Sequence, residues 1–416
     1  MSEPVRPPMR IVWLCHYFAP EMGAPQARLL ELSQAFREQG HDVAAVTCFP
    51  NHPTGVLRKE DAGVKHRRDE VDGIPVFRCR SYVTANKGFV KKTLGHLSFM
   101  CTGLAGLSRA AKERRPDVVV VSSPTFFSVF TAWAWCAPRG IPWVFEVRDL
   151  WPAVFVELGV LKNRFVIWLL ERMELFLYRR ATRVVTVTKS FRDHIAARGI
   201  DAAKIGVVTN GVDTGRFSPG PRDEEFARAK GLDGKFVVLY LGAHGISHAL
   251  ARLLDVAERL RDLPGVRIVF VGEGAEKEAL VTEAKRRELP NVLFHDGVPK
   301  DEVIRWYRLA NVGLVPLRDV PLFTTFIPSK MFELLACGLP VIGSVAGEAA
   351  EILTASGGGR VVRPEDAAAI AREVRELHGD AALRARLGET GRRFVLENFT
   401  RRKLAADYVA ILEPLR

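Results

Sequence analysis

The chain has 416 residues, of which 48% are hydrophobic. It is long for one hydrophobic core, so we expect two domains of similar size. The formal net charge of +12 and the pI of about 9.6 point to an anionic partner: a nucleotide, nucleic acid or an acidic membrane surface. The six cysteines have no paired metal-ligand spacing, which argues against a zinc site and favours reduced, buried thiols in a cytoplasmic protein.

Targeting signals are weak. Residues 1–10 are polar, contain three prolines and lack the apolar centre of a signal peptide, which argues against export. The apolar stretches 94–107 and 126–137 are shorter than the roughly 20 residues that span a bilayer. They are predicted to be buried or interfacial helices.

Strand-like and helical runs alternate from residue 10 to residue 188, and this βαβ order predicts a parallel sheet in an α/β domain. The predicted strands are 10–15, 42–48, 75–79, 117–122, 142–146 and 183–188.

A turn-rich segment at residues 205–221 interrupts this order, so we place a domain boundary there, with the first domain at residues 1–205 and the second at 206–399. A second βα series follows the boundary. Its predicted strands are 236–241, 267–272, 292–295, 312–316, 340–343 and 359–362.

The stretch 324–342 is the strongest candidate site in the second half. Pro328 marks the start of a predicted helix, and Ser329 and Lys330 lie in its first turn, where free N–H groups and a cation suit a phosphate. Glu333, one turn later, can accept hydrogen bonds from two vicinal hydroxyls of a ribose. The alternative is that Ser329 caps the helix and Glu333 favours its dipole.

Glycine-containing turns follow two strands of the same half. These turns would border one pocket with the helix start at Ser329, at the carboxyl edge of the sheet. A glycine after a strand is also routine turn chemistry, and a lone histidine is more often structural. The candidate residues in these turns are Gly242, His244, Gly245, Gly272, Gly274 and His248.

In the first half, the turn after the first strand begins at His16 and contains Gly23, which would let the backbone approach a phosphate or sugar. Arg148 and Asp149 follow a buried strand at the same edge, where a carboxylate could orient an acceptor hydroxyl or act as a base. The alternatives are a simple loop glycine and a surface ion pair. Nearby tryptophans such as Trp168 suit either a core or a membrane interface.

Six motifs in chain order resemble those of the GT-B glycosyltransferases of family 4, in the bacterial branch that builds O-antigen, capsule and colanic-acid-type polysaccharides. They cover nearly the whole chain, at residues 17–25, 49–55, 147–152, 209–213, 327–333 and 347–353.

The resemblance implies two Rossmann-like domains that face a central cleft, with a nucleotide-sugar donor on the second domain, an acceptor on the first, and retention at the anomeric carbon. Glu333 matches the ribose-binding glutamate, Ser329 and Lys330 match the diphosphate turn, and Gly23 matches the glycine loop near the β-phosphate. The helix at residues 400–416 would pack back on the first domain. No metal or other cofactor is implied, because the nucleotide sugar is a substrate.

The sequence departs from the family pattern at two places. Thr325 stands where many members carry a first glutamate, eight positions before Glu333. The usual Arg and Lys pair after the first strand of the second domain is absent, and His244 and His248 lie in that region. Lys330 with helix dipoles is the expected substitute for the missing charge.

The predicted function is therefore transfer of a hexose or N-acetylhexosamine from a nucleotide diphosphate sugar, with UDP as the expected nucleotide, to a lipid-linked oligosaccharide. Lys330, Glu333 and Asp149 are the expected catalytic residues, and His16, Arg148 and Asp149 form the acceptor side. We expect a cytoplasmic protein at the inner membrane face. The alternatives are a UDP-sugar 2-epimerase of the same fold and a nucleic-acid-binding protein, although the chain has no helix-turn-helix, zinc or RNA-binding signature.

Overall fold

A computed structural model describes residues 7–21, 23–51, 55–84, 89–123, 125–157 and 159–416. Parts of two family motifs, Met22 and residues 52–54, lie outside these ranges. Among the described residues, no helix combines the length and the apolar character needed to cross a membrane. The chain forms two compact units: unit 1 contains residues 1–209 and 401–416, and unit 2 contains residues 210–400.

The boundary lies four residues beyond the predicted position at 205/206. Residues Ile205–Val207 form a strand that pairs in parallel with the strand Arg183–Thr186, so they belong to the sheet of unit 1. The short length and the glycine of this strand left it without a clear sequence signal. Backbone pairing with its neighbour decides its place.

Unit 1 is built on an eight-stranded sheet with the strand order β3-β4-β2-β1-β5-β6-β7-β8. The order reverses at β1, which lies between β2 and β5, so the carboxyl ends of β1 and β5 form a topological switch point. The strands are β1 (Arg10–Leu14), β2 (Asp42–Cys48), β3 (His66–Val71), β4 (Ile74–Cys79), β5 (Val118–Ser122), β6 (Trp143–Val147), β7 (Arg183–Thr186) and β8 (Ile205–Val207).

The expectation of a purely parallel sheet is wrong at one edge. β3 was not predicted, and it pairs antiparallel with β4 through a tight turn at Asp72 and Gly73, both of which have positive φ. Its sequence, HRRDEV, is polar on both faces and none of its residues is buried, so it lacks the alternation that marks a strand. Such a charged edge strand also protects the sheet from pairing with other chains.

Helices cover both faces of this sheet. α1 packs on the face that carries Ile11 and Trp13, whereas α2 packs on the face that carries Leu14. The helices of unit 1 that precede unit 2 are α1 (Ala24–Glu38), α2 (Phe89–Glu113), α3 (Ser128–Cys136), α4 (Ala153–Glu157), α5 (Arg164–Arg180) and α6 (Lys189–Ala197).

Unit 2 has a six-stranded sheet that is parallel throughout, with the order β11-β10-β9-β12-β13-β14. The order reverses between β9 and β12, so their carboxyl ends form a second switch point. The strands are β9 (Phe236–Leu241), β10 (Val266–Val271), β11 (Val292–His295), β12 (Val312–Pro316), β13 (Val341–Ser344) and β14 (Gly359–Val362).

The helices of unit 2 bury two separate clusters, one on each face of the sheet. Val237 and Leu239 of β9 point to one cluster, and Val238 and Tyr240 point to the other, as the two-residue period of a strand requires. The helices are α7 (Glu224–Ala229), α8 (Ala251–Arg259), α9 (Lys277–Arg286), α10 (Lys300–Leu309), α11 (Lys330–Ala336), α12 (Glu348–Ser356), α13 (Ala367–Gly379) and α14 (Ala381–Asn398).

The last helix, α15 (Arg401–Leu412), belongs to unit 1 and packs beside α1. The ring of Tyr408 contacts Trp13 edge-on at 5.8 Å between centroids and lies 5.7 Å from the ring of Phe36. Such aromatic pairs contribute about 0.5–1.5 kcal/mol each beyond the burial of their area. Tyr408 therefore closes the core of unit 1 on the α1 face.

Candidate functional site

In unit 2, the predicted residues of the second half meet at the switch point between β9 and β12. The turn after β9 contains Gly242 and His244, and a 3-10 turn, Pro321–Thr325, leads from β12 towards α11, which begins at Lys330. The backbone N–H of Arg318, after β12, donates to the carbonyl of Ser247, after β9. The site therefore lies on segments that are hydrogen-bonded to each other.

The ammonium group of Lys330 is the central charge of this site. The residue as a whole is half-buried, but its Nζ atom is buried and has no hydrogen-bond partner among the described residues. It lies 3.9 Å from the ring centroid of Tyr240, in a cation–π contact. Burial lowers the pKa of Lys330 to about 7, against a weaker opposing attraction from Glu333. A buried cation without an anionic partner is costly, so this position favours an anionic ligand.

The glycines of the two turns have different roles. A side chain at Gly242 would place its Cβ 2.6 Å from Lys330 Nζ, so the absence of a side chain there leaves room for the ammonium group. Side chains at Gly272 and Gly274 would collide with the carbonyl oxygens of Gly242 and His244. Those two predicted donor-binding glycines thus let two backbone turns pack together, whereas Gly245 has open space around it.

His244 is fully buried between Tyr240 and Phe270, with ring centroids 5.9 Å and 6.1 Å away. Neither of its ring nitrogens has a partner among the residues that the structure covers. Burial, helped by repulsion from Lys277, lowers the pKa of His244 to about 4, so the imidazole is neutral at pH 7. A neutral ring with one free N–H can donate to a phosphate oxygen without adding charge.

His248 has a different environment, because its Nδ1 lies 3.4 Å from the carbonyl oxygen of Pro316. Burial and the nearby Lys330 lower the pKa of His248 to about 3. Both histidines are thus uncharged at pH 7. Neither histidine therefore replaces the positive charge of the Arg and Lys pair that the family usually carries. Of Lys330, His244 and His248, only Lys330 can supply a positive charge at this site.

Three hydroxyl or carboxylate side chains of α11 and of the segment before it differ in their hydrogen bonds. Ser329 is the residue before α11, but its side chain forms no capping hydrogen bond, so the simple capping alternative is wrong. The Oε2 atom of Glu333 accepts a 2.8 Å hydrogen bond from the hydroxyl of Tyr307. Thr325, where a glutamate was expected, donates its hydroxyl to the carbonyl of Leu322 at 2.6 Å.

In unit 1, the predicted acceptor-side residues follow β1 and β6, the two strands on either side of β5. His16, after β1, is buried beside Phe99 and His96 at ring distances of 5.2 Å and 5.0 Å, with its Nδ1 3.6 Å from the sulfur of Cys48. Burial lowers the pKa of His16 well below its usual value. His16 is therefore a neutral group within an aromatic cluster.

Arg148 and Asp149 follow β6, where the N–H of Arg148 donates to the hydroxyl of Ser123 at 2.8 Å. Two guanidinium nitrogens of Arg148, Nε and Nη1, are buried and lack partners among the described residues. Burial lowers the pKa of Arg148 to about 10 and raises the pKa of Asp149. The two side chains do not form an ion pair with each other in the described structure, so the alternative of a surface ion pair is wrong.

Gly23 immediately precedes α1, with φ 154°. A Cβ at this position would collide with Oε1 of Gln26, an oxygen that is buried without a partner among the residues described. That amide can move, so it is the positive φ of Gly23 that favours glycine at the start of α1. Its predicted contact with a phosphate stays a prediction.

A buried ion pair beside Arg148 was not predicted. Arg28 of α1 and Glu146 of β6 are both fully buried, and Nε and Nη2 of Arg28 lie 3.1 Å and 3.0 Å from Oε1 of Glu146. Ser122 donates to the other carboxylate oxygen at 2.6 Å, and Arg28 also donates to the carbonyls of Val208 and Thr209. A glutamate within the apolar strand WVFEV was the available sequence signal, because a buried charge requires a partner.

Across the described ranges, no group of three or more His, Cys, Asp or Glu side chains is arranged to hold a metal ion.

Comparison with known proteins identifies the family of this chain. The model of the glycosyl transferase 4-like domain matches residues 23–211, and that of the glycosyl transferases group 1 matches residues 221–394. A putative colanic acid biosynthesis glycosyl transferase, WcaI of Escherichia coli (strain K12), is 24% identical over 77% of this chain and 79% of its own length. A GDP-mannose-dependent alpha-mannosyltransferase of Mycobacterium tuberculosis is 25% identical over 83% of this chain and 82% of its own.

Solved structures agree on the fold. Sucrose-phosphate synthase from Thermosynechococcus elongatus has a TM-score of 0.75 at 18% identity, with 98% of this chain and 99% of that chain covered. Anabaena HepE in complex with UDP and glucose has a TM-score of 0.71 at 17% identity, with coverages of 97% and 99%. The two α/β units are those of a GT-B glycosyltransferase. The chain belongs to family 4 of these enzymes, with a colanic acid biosynthesis protein among its relatives.

Proposed function

We propose that this glycosyltransferase is a retaining enzyme that moves a hexose or N-acetylhexosamine from a UDP-sugar to a lipid-linked oligosaccharide in cell-surface polysaccharide synthesis. The ammonium of Lys330 at the switch point of unit 2 carries the donor part of this proposal, because it is buried and has no hydrogen-bond partner among the described residues. A diphosphate is the anion that fits a cation and a neutral histidine N–H on adjoining turns. The retaining outcome is taken from the family resemblance.

In the proposed reaction, the bond between the anomeric carbon and the β-phosphate oxygen breaks, and the acceptor oxygen bonds to the same face of the sugar. Lys330 and the N–H of His244 offset the charge that develops on the leaving diphosphate. Glu333, held by Tyr307, accepts hydrogen bonds from the ribose hydroxyls. The acceptor hydroxyl gives up its proton to a base, for which Asp149 is the candidate in unit 1, since burial raises its pKa.

The acceptor and the location are supported by the relative named for colanic acid biosynthesis and by exposed apolar side chains on unit 1. We propose that the enzyme works at the cytoplasmic face of the membrane without crossing it. The nucleotide of the donor has a second candidate, GDP. Two relatives are named as GDP-mannose-dependent mannosyltransferases, so GDP-mannose stands beside the UDP-sugars in any donor screen.

The test is to incubate the purified chain with UDP-sugars and GDP-mannose, with and without a detergent-solubilised lipid-linked saccharide. Release of the nucleotide diphosphate that depends on the acceptor is the expected result, and the anomeric configuration of the product reports retention. An isomerised donor without transfer would instead establish the 2-epimerase. Salt-sensitive oligonucleotide binding without sugar chemistry would favour a nucleic-acid-binding protein.

Glu333→Gln is expected to raise the KM for the nucleotide sugar by about 10–100-fold, because a hydrogen bond to a charged group contributes about 1.5–3 kcal/mol. The thermal unfolding midpoint should change little, since the glutamine amide can still accept from Tyr307. Tyr307→Phe is the matched variant: it removes the orienting hydroxyl but leaves the carboxylate, so its effect on KM should be only a few-fold. Unchanged kinetics in Glu333→Gln would remove the ribose assignment.

Donor affinity is expected to fall as the pH rises above about 7. In the free enzyme the pKa of Lys330 is about 7, and an anionic ligand raises it, so binding takes up a proton above that pH and Kd rises by about tenfold per pH unit. His244 and His248 do not titrate there, because burial lowers their pKa values to about 4 and about 3. Calorimetry with a nucleotide sugar, whose phosphates stay ionised, measures the slope.

Lys330→Arg provides the control for this pH dependence, because a guanidinium stays protonated throughout the range. Its Kd should be nearly independent of pH between about pH 6 and pH 9. The same slope in Lys330→Arg as in the unmodified enzyme would show that another group titrates.

A further inference from the structure

Large apolar side chains are unusually exposed at one place in unit 1. Of the thirteen exposed large hydrophobic residues in the described part of the chain, six lie between residues 156 and 169. Phe165 is 68% exposed, Val160 is 57% exposed and Trp168 is 51% exposed. Scattered apolar side chains on a surface need no explanation, but a contiguous group indicates a binding surface. We call Val156, Val160, Phe165, Trp168 and Leu169 the α4–α5 surface.

The exposed apolar residues of α5 lie on a different side of the helix from its buried residues. Phe165, Trp168 and Leu169 occur at i, i+3 and i+4 and thus share one face of α5. The buried residues of the same helix, Leu170, Glu174, Leu177 and Tyr178, form a different stripe. α5 therefore has two apolar faces: one packs within unit 1, and the other is exposed.

The start of α5 is ordered although it is exposed. The side chain of Asn163 caps the helix by accepting hydrogen bonds from the N–H groups of Phe165 and Val166 at 3.0 Å and 3.2 Å. The rings of Phe165 and Trp168 stack at 5.9 Å. The residues from 162 to 166 are all exposed, so this helix start protrudes from unit 1.

Basic side chains border the apolar residues. The guanidinium of Arg172 lies 5.7 Å from the ring centroid of Trp168, and Lys162 and Arg164 are exposed next to Phe165. The acidic neighbours are Glu157 and Glu171, so cations exceed carboxylates by one here. This combination of Trp, Phe and Leu with Lys and Arg is typical of surfaces that lie in the headgroup region of anionic membranes.

We propose that the α4–α5 surface docks unit 1 on an anionic phospholipid bilayer, with Phe165 and Trp168 inserted below the headgroups and Arg172, Arg164 and Lys162 among the phosphates. We favour a bilayer over a second protein chain, because the exposed Phe165 and Trp168 are bordered by Lys162, Arg164 and Arg172, a combination that suits the headgroup region of an anionic membrane. The proposal rests on the proposed function only in the reason for docking, which is access to a lipid-linked acceptor.

Flotation of the full chain with vesicles of phosphatidylglycerol and phosphatidylethanolamine tests the proposal. The unmodified chain should float with these vesicles, and much less with vesicles of phosphatidylcholine alone. The double substitution Phe165→Ser and Trp168→Ser should reduce the bound fraction at least about tenfold, since it removes the two largest inserted side chains. Leu396→Ser, at an exposed apolar residue of α14 in unit 2, is the matched control and should bind normally.

The outcomes separate the possibilities. Equal flotation of the double variant and the unmodified chain would overturn the proposal, as would a dimer in solution that the double substitution dissociates without any vesicle binding. The thermal unfolding midpoint of the double variant should stay unchanged, because both positions lie outside the core. Flotation needs neither donor nor acceptor sugar, whereas nucleotide release on a detergent-solubilised acceptor needs no bilayer. Failure of docking and failure of the proposed transferase activity are thus distinguishable.

Discussion

Lys330→Met is expected to lower kcat/KM for the nucleotide sugar by about 100–1000-fold, the range observed when one preorganised group that stabilises developing charge is removed. Lys330 supplies the charge next to the neutral histidines His244 and His248, so neither of them can replace it. Methionine keeps most of the volume beside Tyr240 and removes a buried ammonium that has no partner among the described residues. The thermal unfolding midpoint should therefore stay the same or rise while activity is lost.

The matched control is Lys285→Met, which removes an exposed lysine of α9. Its kcat/KM should lie within about twofold of that of the unmodified enzyme, as expected for a surface substitution away from the site. Steady-state kinetics at a fixed acceptor concentration measure both variants. Retention of activity in Lys330→Met at the level of Lys285→Met would show that the leaving diphosphate is stabilised by other groups.

Glu146→Gln is expected to reduce the free energy of unfolding of unit 1 by about 3–5 kcal/mol, because it leaves the fully buried Arg28 without its counter-charge. Six of the seven tryptophans precede residue 209, so urea unfolding followed by tryptophan fluorescence reports mainly on unit 1. Replacing both partners, in Arg28→Met with Glu146→Leu, should recover part of the loss, since neither member of the pair is then left buried without the other.

Asp42→Asn provides a control on an exposed ion pair. Asp42 pairs with Arg114 at 2.6 Å, but the side chains are 35% and 71% exposed, and exposed pairs contribute about 0–1 kcal/mol. The loss in Asp42→Asn should therefore stay below about 1 kcal/mol. Losses of similar size in Asp42→Asn and Glu146→Gln would mean that the Arg28–Glu146 pair adds little to the stability of unit 1.

Regular periodicity made most of the fold predictable. β2, β9, β11, β12 and β14 have the predicted ends, because apolar residues and turn residues coincide there. β3 was missed because the energy that holds it is backbone pairing with β4 rather than burial of an apolar face. The family and the GT-B fold were likewise predictable, since the six motifs occur in order along the chain.

The details of the sites were less predictable, because they depend on contacts between distant residues. The sequence indicated Lys330 as a phosphate ligand, but its burial arises from Tyr240 and the turn at Gly242. In the same way, Gly272 and Gly274 have the composition of a ligand loop, yet tight packing between two turns explains them. Arg28 shares the buried side of α1 with Leu32 and Ala35, but its partners, Glu146 of β6 and the carbonyls of residues 208–209, are distant in the sequence, so the sequence did not predict its ion pair.

The position of α15 affects the order in which the protein can fold during synthesis. Unit 2 is one continuous segment, residues 210–400, so all of its strands and helices are available as soon as that segment has left the ribosome. The core around Trp13 lacks Tyr408 until about two hundred further residues have been made, although every strand of its sheet precedes residue 209. During that interval the side of α1 that packs against α15 is uncovered, so we expect the nascent unit 1 to expose apolar surface until α15 has been made.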